Sequence, residues 1–468
     1  MDFSAGYKMA IGDSALAWLD RVRGEDGPIY AAIVRALEQA IAAGDLQPGD
    51  KLPPQRALAA RLGVDLTTVT RAYDVARSLG LLEGAVGRGT FVRARTEDDE
   101  AGLVDLSMNL PPPPEGLSLG AMLQETVTAI LQRADPAVLM AYHPGFGAPG
   151  QRRAGAEWLA PCLGERSPDC LLVSPGAQAG LAAVLSVLCR PGDTVVAEAL
   201  TYPGFKAIAA QLGLRVIACA SDDRGAIPAS LEAVCRRERP AAVYLVPSLQ
   251  NPTATTMPAA RRREVARVLS QAGVWLVEDD PYSRLYDAPP PAVSSFHPER
   301  CVYIGTLAKT LSPGLRIAYI ACPGPDDAER FATALRAIAL MPAPLMASLA
   351  TTWIREGRAE TLLAAVRAEA RARRALAARI LPAASGPVES LHVWLPLPGD
   401  ASPERLRLAA QQRGLALVTQ EAFAVGLAAP AGVRLSLGGP GRRQVLEGAL
   451  GNLADLLAAS PPAARTVV

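Results

Sequence analysis

Apolar residues recur at helical spacing near the start of the chain. Ile29, Ile33, Leu37 and Ile41 lie four residues apart and follow Pro28, a residue that suits the first turn of a helix. This spacing places the four side chains on one face. We therefore expect an amphipathic helix that packs this face against a core.

Two further helical patterns and a hairpin pattern follow. Residues 54–62 predict a short second helix that ends at Gly63, a residue whose conformational freedom suits a tight turn. A third helix is expected directly after it, with Val69 on the inner face. The glycine-rich residues 84–89 and the strand pattern of 90–92 then predict a β-hairpin. This order of elements indicates a winged helix-turn-helix, which is mostly α-helical with a β-hairpin wing.

Short apolar runs alternate with helical segments through the rest of the chain. We expect seven strands, at residues 171–173, 194–197, 215–218, 242–246, 274–277, 302–304 and 317–321. Strands that alternate with helices favour a mostly parallel sheet covered on both faces. The sequence therefore predicts a large α/β domain that binds ligands beyond the carboxyl ends of its strands.

The length and composition favour a packed protein with more than one domain. A chain of 468 residues exceeds the usual size of a single core, and half of its residues are apolar while 20% are charged. No apolar stretch is long enough to span a membrane, and the first residues do not resemble a secretory signal. We therefore expect a cytoplasmic protein without membrane contact. The cysteines form no CxxC pair and the histidines lack metal-ligand spacing, so no metal site is expected.

Positive charge is concentrated in the helix-turn-helix region. The net charge of the chain is only +1, but residues 51–95 contain eight basic and three acidic residues, a local charge of +5. This bias favours double-stranded DNA as a partner. The third helix and the hairpin would bring the following side chains near phosphates and base edges: Arg56, Thr67, Thr68, Arg71 and Arg88. The alternative is a small helical domain whose arginines are merely solvated.

A short connector separates the two patterns. It is acidic and then apolar, and a proline run follows it. Because about ten extended residues span only ~35 Å, such a connector would couple the two parts mechanically. The expected division is a DNA-binding domain (12–95), a linker (96–108) and a body (109–460) made of a large domain (about 140–322) and a small domain (109–139 and 323–460).

One lysine stands out in an arginine-rich body. Lys309 is the only lysine between residues 207 and 468, and it follows a predicted strand. A lysine amine can lose its proton and attack a carbonyl, which arginine cannot do. A phosphorylated aldehyde cofactor would use such an amine, and Asp279 could keep the nitrogen of a pyridine ring protonated. In the alternative, Asp279 only caps a helix or forms a salt bridge.

A phosphate site is expected at the start of a helix, where backbone N–H groups point outward. The turn at residues 174–178 opens a helix after a predicted strand, and Thr306 and Arg316 could add a hydroxyl and a cation. Such a turn is common in any doubly wound sheet, so it indicates a phosphate only in combination with the other groups.

The N-terminal sequence resembles the GntR-type winged helix over about 65 residues. The resemblance rests on G-x-L-x-P-G-x-x-L-P at 44–53, TTVTRAY at 67–73 and G-x-G-T-F-V at 87–92. It implies DNA binding. Asp65 and Leu66 replace the serine and arginine that are often found there, which leaves open the bases that are read.

The body resembles the fold-type I aminotransferases over about 350 residues. The shared motifs are E-x-x-T-Y-P-G at 198–204, QNPT at 250–253, DDPY at 279–282, K-x-L-x-P-G-L-R at 309–316 and V-R-L-S at 433–436. Together with the winged helix, the chain resembles the MocR subfamily of GntR regulators. The resemblance implies pyridoxal 5'-phosphate as the cofactor, a mostly parallel sheet in the large domain and a smaller α+β domain.

The same resemblance assigns a role to each matched residue. Lys309 would form the Schiff base with the cofactor, and Asp279 would pair with the pyridine nitrogen. Tyr202 would stack on the ring, while Asn251 and Tyr282 would hydrogen-bond its oxygen. The phosphate would be held by Gly176, Ala177, Gln178, Thr306 and Arg316.

Two residues extend these roles, and two depart from the family. Arg434 would bind the carboxylate of an incoming amino acid, and Tyr142 would reach the phosphate of the partner subunit, which implies a homodimer. Ala254 stands where a glycine is usual, and Ala308 stands where a serine often precedes the lysine. The second change removes one possible hydroxyl from the phosphate site.

Three functions are compatible with these features. The favoured one is a transcription regulator that senses an amine, an amino acid or pyridoxal 5'-phosphate, with the effector displacing Lys309. The second is a catalytically active aminotransferase that carries a DNA-binding domain, since a freed Lys309 could act as a general base. The third is a DNA-binding protein that uses its body only as a dimerisation scaffold.

Overall fold

The computed structural model describes most of the chain. The described residues are 18–19, 22, 28–42, 45–46, 49–78, 81–85, 89–92, 103–114, 116–143, 145–398, 401–426 and 429–459. Two compact units make up the chain, Met1–Leu103 and Val104–Val468.

The N-terminal unit is a winged helix-turn-helix. Its described elements are α1 (Ile29–Ala42), α2 (Gln55–Leu62), α3 (Leu66–Ser78), β1 (Leu82–Ala85) and β2 (Gly89–Val92). α2 ends at Gly63, whose φ of 65° is a left-handed conformation that glycine adopts without steric cost. β1 and β2 pair antiparallel, so the predicted hairpin is confirmed.

Side chains of α1 and α3 contribute many of the residues in the core of this unit. Ile33, Val69 and Tyr73 are fully buried, and the Tyr73 hydroxyl donates a hydrogen bond of 2.9 Å to the carbonyl oxygen of Pro53. Ile29 was expected on the same face but is 51% exposed. Helical spacing determines which face is buried, not how far along the helix the core extends, so the buried stripe begins one turn later.

The body is an α/β structure, and none of its described helices is long and apolar enough to cross a membrane. Its helices are α4 (Leu119–Arg133), α5 (Pro136–Leu139), α6 (Pro149–Leu163), α7 (Ala177–Leu188), α8 (Pro203–Gln211), α9 (Pro228–Glu238), α10 (Ala259–Ala272), α11 (Pro325–Ala339), α12 (Pro344–Arg355), α13 (Arg358–Ile380), α14 (Pro403–Gln412), α15 (Gln420–Phe423) and α16 (Arg443–Ala459). Its strands are β3 (Val104–Asp105), β4 (Leu171–Ser174), β5 (Thr194–Glu198), β6 (Arg215–Cys219), β7 (Ser221–Asp222), β8 (Gly225–Ala226), β9 (Ala242–Leu245), β10 (Trp275–Asp280), β11 (Cys301–Thr306), β12 (Ala318–Ala321), β13 (His392–Pro396), β14 (Leu415–Ala416), β15 (Val418–Thr419) and β16 (Gly432–Ser436).

A seven-stranded sheet forms the centre of the body, within residues 145–398, which the structure describes without a gap. Its strand order is β4-β12-β11-β10-β9-β5-β6. β12 is antiparallel to β4 and to β11, and the other neighbours are parallel. All seven predicted apolar runs lie in this sheet, because strands that are covered on both faces need apolar residues at nearly every position. The prediction of a mostly parallel sheet is confirmed.

A second hydrophobic core lies around the three-stranded sheet β13-β16-β15. Leu106 belongs to this core, and the preceding strand β3 pairs in parallel with β14. The backbone N–H of Val104 donates to the carbonyl oxygen of Gly414 at 2.8 Å. The body therefore begins at Val104, and the last residues of the expected linker 96–108 form part of its second core.

Several helices that were assigned to the small domain pack with the central sheet instead. Trp353 of α12 is fully buried, and its indole N–H donates to the hydroxyl of Thr126 in α4 at 2.8 Å. Phe331 and Leu363 belong to the same hydrophobic core as the central strands. The boundary between the two hydrophobic cores of the body therefore lies later in the chain than the expected domain boundary at 322–323. Amphipathic spacing shows that a helix has a buried face, but not which sheet covers it.

Candidate functional site

A cavity of about 480 Å³ opens at the carboxyl ends of the central strands. Val246, Asp279 and Thr306 lie at or just after the ends of β9, β10 and β11 and line it, and β15 and β16 of the three-stranded sheet contribute Val418 and Arg434. Most of the residues expected at the cofactor line this cavity: Ala177, Gln178, Tyr202, Asn251, Asp279, Tyr282, Thr306, Lys309, Arg316 and Arg434.

Lys309 lies just after β11 with its amine in the cavity. Its Nζ donates a hydrogen bond of 2.6 Å to the carbonyl oxygen of Asn109. Burial lowers the pKa of the Lys309 amine to about 8, assisted by Arg434 and Arg316 and opposed by Asp279. A larger fraction of this amine than of an ordinary lysine is therefore neutral and nucleophilic near neutral pH.

Asp279 offers one unpartnered carboxylate oxygen. It is 5% exposed, at the end of β10. Its Oδ2 accepts a hydrogen bond of 2.7 Å from the Tyr244 hydroxyl, and its Oδ1 is buried without a partner among the described residues. Burial raises the pKa of Asp279 to about 6. A buried acceptor of this kind is satisfied by a donor on a bound group.

The start of α7 forms a tight corner with Arg316. Gly176 precedes the helix with a φ of 94°, and a Cβ atom there would lie 2.6 Å from Nη2 of Arg316. Only glycine allows this approach, which brings a guanidinium beside the N-terminal backbone of a helix. Thr306 lies at the adjacent strand end, where its hydroxyl donates to the carbonyl oxygen of Ile317 at 3.3 Å. The corner combines features that bind phosphate.

Tyr202 is held at the start of α8. Its hydroxyl donates to Oε1 of Gln178 at 2.9 Å, and Nε2 of Gln178 donates to the carbonyl oxygen of Gly204 at 3.3 Å. A Cβ atom on Gly204 would lie 2.4 Å from the Tyr202 ring. The glycine of the Y-P-G motif therefore makes room for the tyrosine ring that lines the cavity.

Arg434 is buried on β16 and faces the cavity. Its Nη1 donates to Oδ1 of Asn251 at 2.8 Å, and its Nη2 donates to the carbonyl oxygen of Ser107. Within the described part of the chain, its Nε is buried and has no hydrogen-bond partner. The guanidinium carbon lies 5.2 Å from the centroid of the Phe423 ring. This arrangement holds a cation where little water reaches it.

Two site residues were missed by sequence reasoning. Asn109 lines the cavity and its Nδ2 donates to the Tyr282 hydroxyl at 2.8 Å. The same Nδ2 lies 3.0 Å from Nδ1 of His392, a fully buried residue at the start of β13. Asn109 directly follows the expected linker 96–108 and precedes the proline run, outside every motif that was recognised. A single histidine with no ligand partner nearby in sequence gave no signal of its role.

Three further residues clarify the sequence expectations. Tyr142 is 77% exposed and does not line the cavity. Ala254, which replaces the usual glycine, has a φ of 58°, a left-handed conformation that explains the preference for glycine there. Ala308, which replaces a serine, lines the cavity and offers no hydroxyl to it.

These groups fit a phosphorylated pyridine aldehyde. The unpartnered Oδ1 of Asp279 suits a ring N–H, the amine of Lys309 suits an aldehyde carbon, and the corner of Gly176 and Arg316 suits a phosphate. Pyridoxal 5'-phosphate carries all three features on one ring.

The N-terminal unit presents polar side chains on α2 and α3. Arg56, Thr67 and Arg71 are exposed and Thr68 is half-buried. The guanidinium carbon of Arg71 lies 4.1 Å from the centroid of the Tyr30 ring, a cation–π contact. The residue expected at the hairpin tip, Arg88, lies outside the described residues.

The chain matches two protein families in succession. Residues 29–92 match the bacterial regulatory proteins of the gntR family, and residues 101–438 match aminotransferase class I and II. The chain is 32% identical over 454 residues to YdeF, an uncharacterized HTH-type transcriptional regulator of Bacillus subtilis (strain 168), with 94% of this chain and 97% of that protein covered. It is 29% identical over 376 residues to the probable rhizopine catabolism regulatory protein MocR of Rhizobium meliloti, with 74% and 75% covered.

The body also resembles solved aminotransferases. The crystal structure of LysN, the alpha-aminoadipate aminotransferase of Thermus thermophilus, matches with a TM-score of 0.70 and 26% identity, covering 82% of this chain and 98% of that chain. That structure contains N-(5'-phosphopyridoxyl)-L-leucine. The matches to both family descriptions and to full-length relatives agree with the fold and the cavity. The chain therefore belongs to the aminotransferase class I and II family and, through its gntR-family domain, to the MocR type of GntR transcription regulators.

Proposed function

We propose that this protein is a DNA-binding transcription regulator that senses an amine or an amino acid through pyridoxal 5'-phosphate held in its body, or senses that cofactor itself. One observation carries the proposal. A single cavity contains the amine of Lys309, the unpartnered oxygen of Asp279 and the buried guanidinium of Arg434, and the same chain contains a winged helix.

Lys309 would provide the amine that reacts with the cofactor, and Asp279 would provide the carboxylate that adjusts the electronic properties of the cofactor ring. Pyridoxal 5'-phosphate supplies an aldehyde carbon that amines attack and a ring that withdraws electrons. Lys309 would hold the cofactor at that carbon, and Oδ1 of Asp279 would accept the ring N–H and keep the ring nitrogen protonated. An effector amine that displaces Lys309 leaves its amine free to hold or move a proton within the cavity.

The remaining residues orient the cofactor. Asn251 and Tyr282 would hydrogen-bond the ring oxygen, and Tyr202 would stack on the ring. The phosphate would be held by Gly176, Ala177, Gln178, Thr306 and Arg316.

Arg434 indicates the class of effector. A guanidinium binds the two oxygens of a carboxylate in a forked geometry, and Nε of Arg434 has no partner in the described cavity. Binding requires the carboxylate to replace the carbonyl oxygen of Ser107, which accepts a hydrogen bond from Nη2. Amino acids, which carry both an amine and a carboxylate, should therefore bind more tightly than simple amines.

DNA would be bound by α3 and the hairpin. The residues proposed to contact DNA are Arg56, Thr67, Thr68, Arg71 and Arg88. We further propose a homodimer, in which the exposed Tyr142 reaches the phosphate of the partner subunit. Two DNA-binding units in one dimer would bind two half-sites.

A second candidate function is an aminotransferase reaction in the same cavity. The pKa of about 8 of the Lys309 amine favours it, because a freed amine could act as a general base at the effector's α-carbon. This activity would use the same groups as sensing. The two functions differ in whether turnover is steady and whether DNA binding is selective.

The deciding experiment is genome-wide retention of DNA. The cofactor-loaded protein is incubated with fragmented DNA of its own source, and the retained fragments are sequenced with and without a set of amino acids. We expect a few discrete sites whose occupancy changes with one amino acid. Uniform or absent binding, together with steady conversion of amino acid to keto acid, would favour the enzyme. Selective binding without a visible cofactor band would favour the scaffold function.

A further inference from the structure

Asn109 makes hydrogen bonds to three groups of the site. Its Nδ2 donates to the Tyr282 hydroxyl at 2.8 Å and lies 3.0 Å from Nδ1 of His392. The oxygen of its backbone carbonyl accepts a hydrogen bond of 2.6 Å from Nζ of Lys309. Asn109 is only 4% exposed. No other described residue joins the amine that would hold the cofactor to a donor for the ring oxygen in this way.

His392 determines the direction of these bonds. Its Nε2 lies 3.0 Å from the carbonyl oxygen of Gln250, which can only accept, so Nε2 carries the hydrogen. Burial lowers the pKa of His392 to about 3, so the ring is neutral and its Nδ1 is an acceptor. Nδ2 of Asn109 must therefore donate to Nδ1 of His392.

The same reasoning fixes the hydroxyl of Tyr282. Its oxygen accepts the second hydrogen of Nδ2 of Asn109. Its own hydrogen is then free to donate to another acceptor, and Tyr282 lines the cavity. The reverse assignment, with Oδ1 of Asn109 facing both groups, would require a doubly protonated imidazole, which the buried position of His392 opposes.

We propose that Asn109 is a positioning residue that aims the Tyr282 hydroxyl hydrogen at the ring oxygen of the cofactor and anchors the Lys309 amine when that amine is free. The Lys309 amine would lose its hydrogen bond to the backbone carbonyl of Asn109 when the amine holds the cofactor. The amine would form this bond again when an effector displaces it from the cofactor. The backbone at Asn109 therefore has different bonding in the two states.

Asn109 also lies close in sequence to the start of the body. It follows β3 (Val104–Asp105), whose pairing with β14 begins the second unit. A change of bonding at Asn109 would act on the stretch of chain that leads directly to the DNA-binding unit. This part of the proposal rests on the proposed function, whereas the aiming of Tyr282 requires only that the cavity binds the cofactor.

The first test is the pH dependence of the visible absorption of the bound cofactor in the full-length protein. Without an oriented donor, the ring oxygen becomes more basic, and the midpoint of the absorption change in Asn109→Ala should rise by about one pH unit. Tyr282→Phe, which removes the donor itself, should shift the midpoint in the same direction. The other titratable groups that face Asn109, Tyr282 or Lys309 are Asp279, Tyr202, His392, Arg434 and Arg316, and both variants retain them.

The matched control is Asn452→Ala. Asn452 is an exposed asparagine of α16 that does not line the cavity, so the midpoint should equal that of the wild type. A wild-type midpoint in Asn109→Ala together with a shift in Tyr282→Phe would overturn the proposal. If Asn109→Ala does not load the cofactor, Asn109→Leu fills a similar volume without hydrogen-bonding groups and is judged by the same criterion.

The second test measures DNA affinity of the cofactor-free and the cofactor-loaded protein, with pyridoxal 5'-phosphate as the only added ligand. The ratio of the two Kd values should differ from one in the wild type. It should move towards one in Asn109→Ala, because the backbone carbonyl at residue 109 is then no longer anchored by the side-chain hydrogen bonds. A cofactor-independent Kd in the wild type, or an unchanged ratio in the variant, would contradict the link to DNA. Loss of all selective DNA binding would instead contradict the proposed function, while the absorption test would still decide the role of Asn109.

Discussion

Tyr244 bonds one oxygen of Asp279 and leaves the other free. The Tyr244 hydroxyl donates to Oδ2 at 2.7 Å, and the Tyr244 ring is stacked on Phe205 with 4.0 Å between ring centroids. The hydroxyl is thus held in place by packing behind the carboxylate. No described residue contacts Oδ1 with a hydrogen-bonding group, and burial raises the pKa of Asp279 to about 6. The cofactor-free cavity therefore keeps a costly carboxylate ready for a ring N–H.

Asp279→Asn should have opposite effects on the cofactor-free and the cofactor-loaded protein. The pKa of Asp279 rises from 3.8 to about 6 on folding, so the folded state binds more protons and loses stability as the pH rises through this range. Near neutral pH the substitution should raise the free energy of unfolding of the cofactor-free protein by about 1–3 kcal/mol. It should also weaken cofactor binding, because the ring N–H loses a charged acceptor.

Denaturant unfolding at neutral pH and at about pH 4 checks this prediction, since Asp279 becomes protonated at the lower pH and the advantage of the variant should then largely vanish. Tyr244→Phe serves as the control. It keeps the carboxylate and removes the one hydrogen-bond donor that the described residues offer to it, so it should lower the stability near neutral pH. Equal stability of Asp279→Asn and wild type near neutral pH would contradict the assigned cost of the buried charge.

Lys309→Ala should abolish the covalent attachment of the cofactor. The visible band of the bound cofactor should be lost or shifted to that of free pyridoxal 5'-phosphate, because no other amine of a described residue lines the cavity. Lys309→Arg keeps a cation but cannot attack a carbonyl, so it should behave in the same way. Absorption spectra after gel filtration measure the effect. Lys206→Ala, which changes the other lysine of the body, should retain the band.

The motifs predicted which residues would meet in the cavity, because ligands of such a sheet bind beyond the carboxyl ends of its strands. Asp279, Thr306 and Lys309 lie at or just after the ends of neighbouring strands of the central sheet, and parallel strands bring such ends to one edge. The alternation of strands and helices was visible in the sequence, so the meeting of these residues could be expected without knowing any distance.

Contacts between distant segments could not be predicted in this way. Asn109 and His392 are 283 residues apart in the chain, and neither belongs to a motif that carries its own geometry. β3 is a two-residue strand, too short for an alternating pattern to be recognised, so Val104 and Leu106 looked like the end of a linker. The division of the body depends on which sheet each helix contacts, and this information is absent from helical spacing.

Gly176→Ala should weaken cofactor binding through the phosphate corner. A Cβ atom at this position would lie 2.6 Å from Nη2 of Arg316 and would push the guanidinium away. The φ of 94° adds strain for any residue other than glycine. We expect the Kd for pyridoxal 5'-phosphate to rise by about tenfold or more, since a displaced charge-assisted hydrogen bond costs about 1.5–3 kcal/mol. Fluorescence titration of the cofactor-free protein measures the change.

A substitution at a second glycine distinguishes the effect of backbone strain from the effect of the contact with Arg316. Gly192 has a φ of 91°, and a Cβ atom there would meet no other atom within 4 Å. Gly192→Ala should therefore lower the free energy of unfolding by an amount similar to the strain at Gly176 and leave the Kd for the cofactor unchanged. Equal losses of cofactor affinity in both variants would show that the approach of Arg316 to the helix start does not matter for binding.

Arg71→Ala should weaken DNA binding without altering the cofactor band. Arg71 is exposed on α3, and its guanidinium is held 4.1 Å from the ring centroid of Tyr30. If Arg71 contacts a phosphate, the slope of log K against log salt should become less steep by about 0.9, and the loss should be similar for all sequences. If it reads a base, the loss should be about 1–3 kcal/mol and confined to the retained sites.

Two variants serve as controls. Tyr30→Phe keeps the ring and should bind nearly as the wild type does, and Arg61→Ala makes the same change on α2 outside the proposed contact set. An equal loss of affinity in Arg61→Ala would mean that Arg71 contributes only to the general positive charge of the unit.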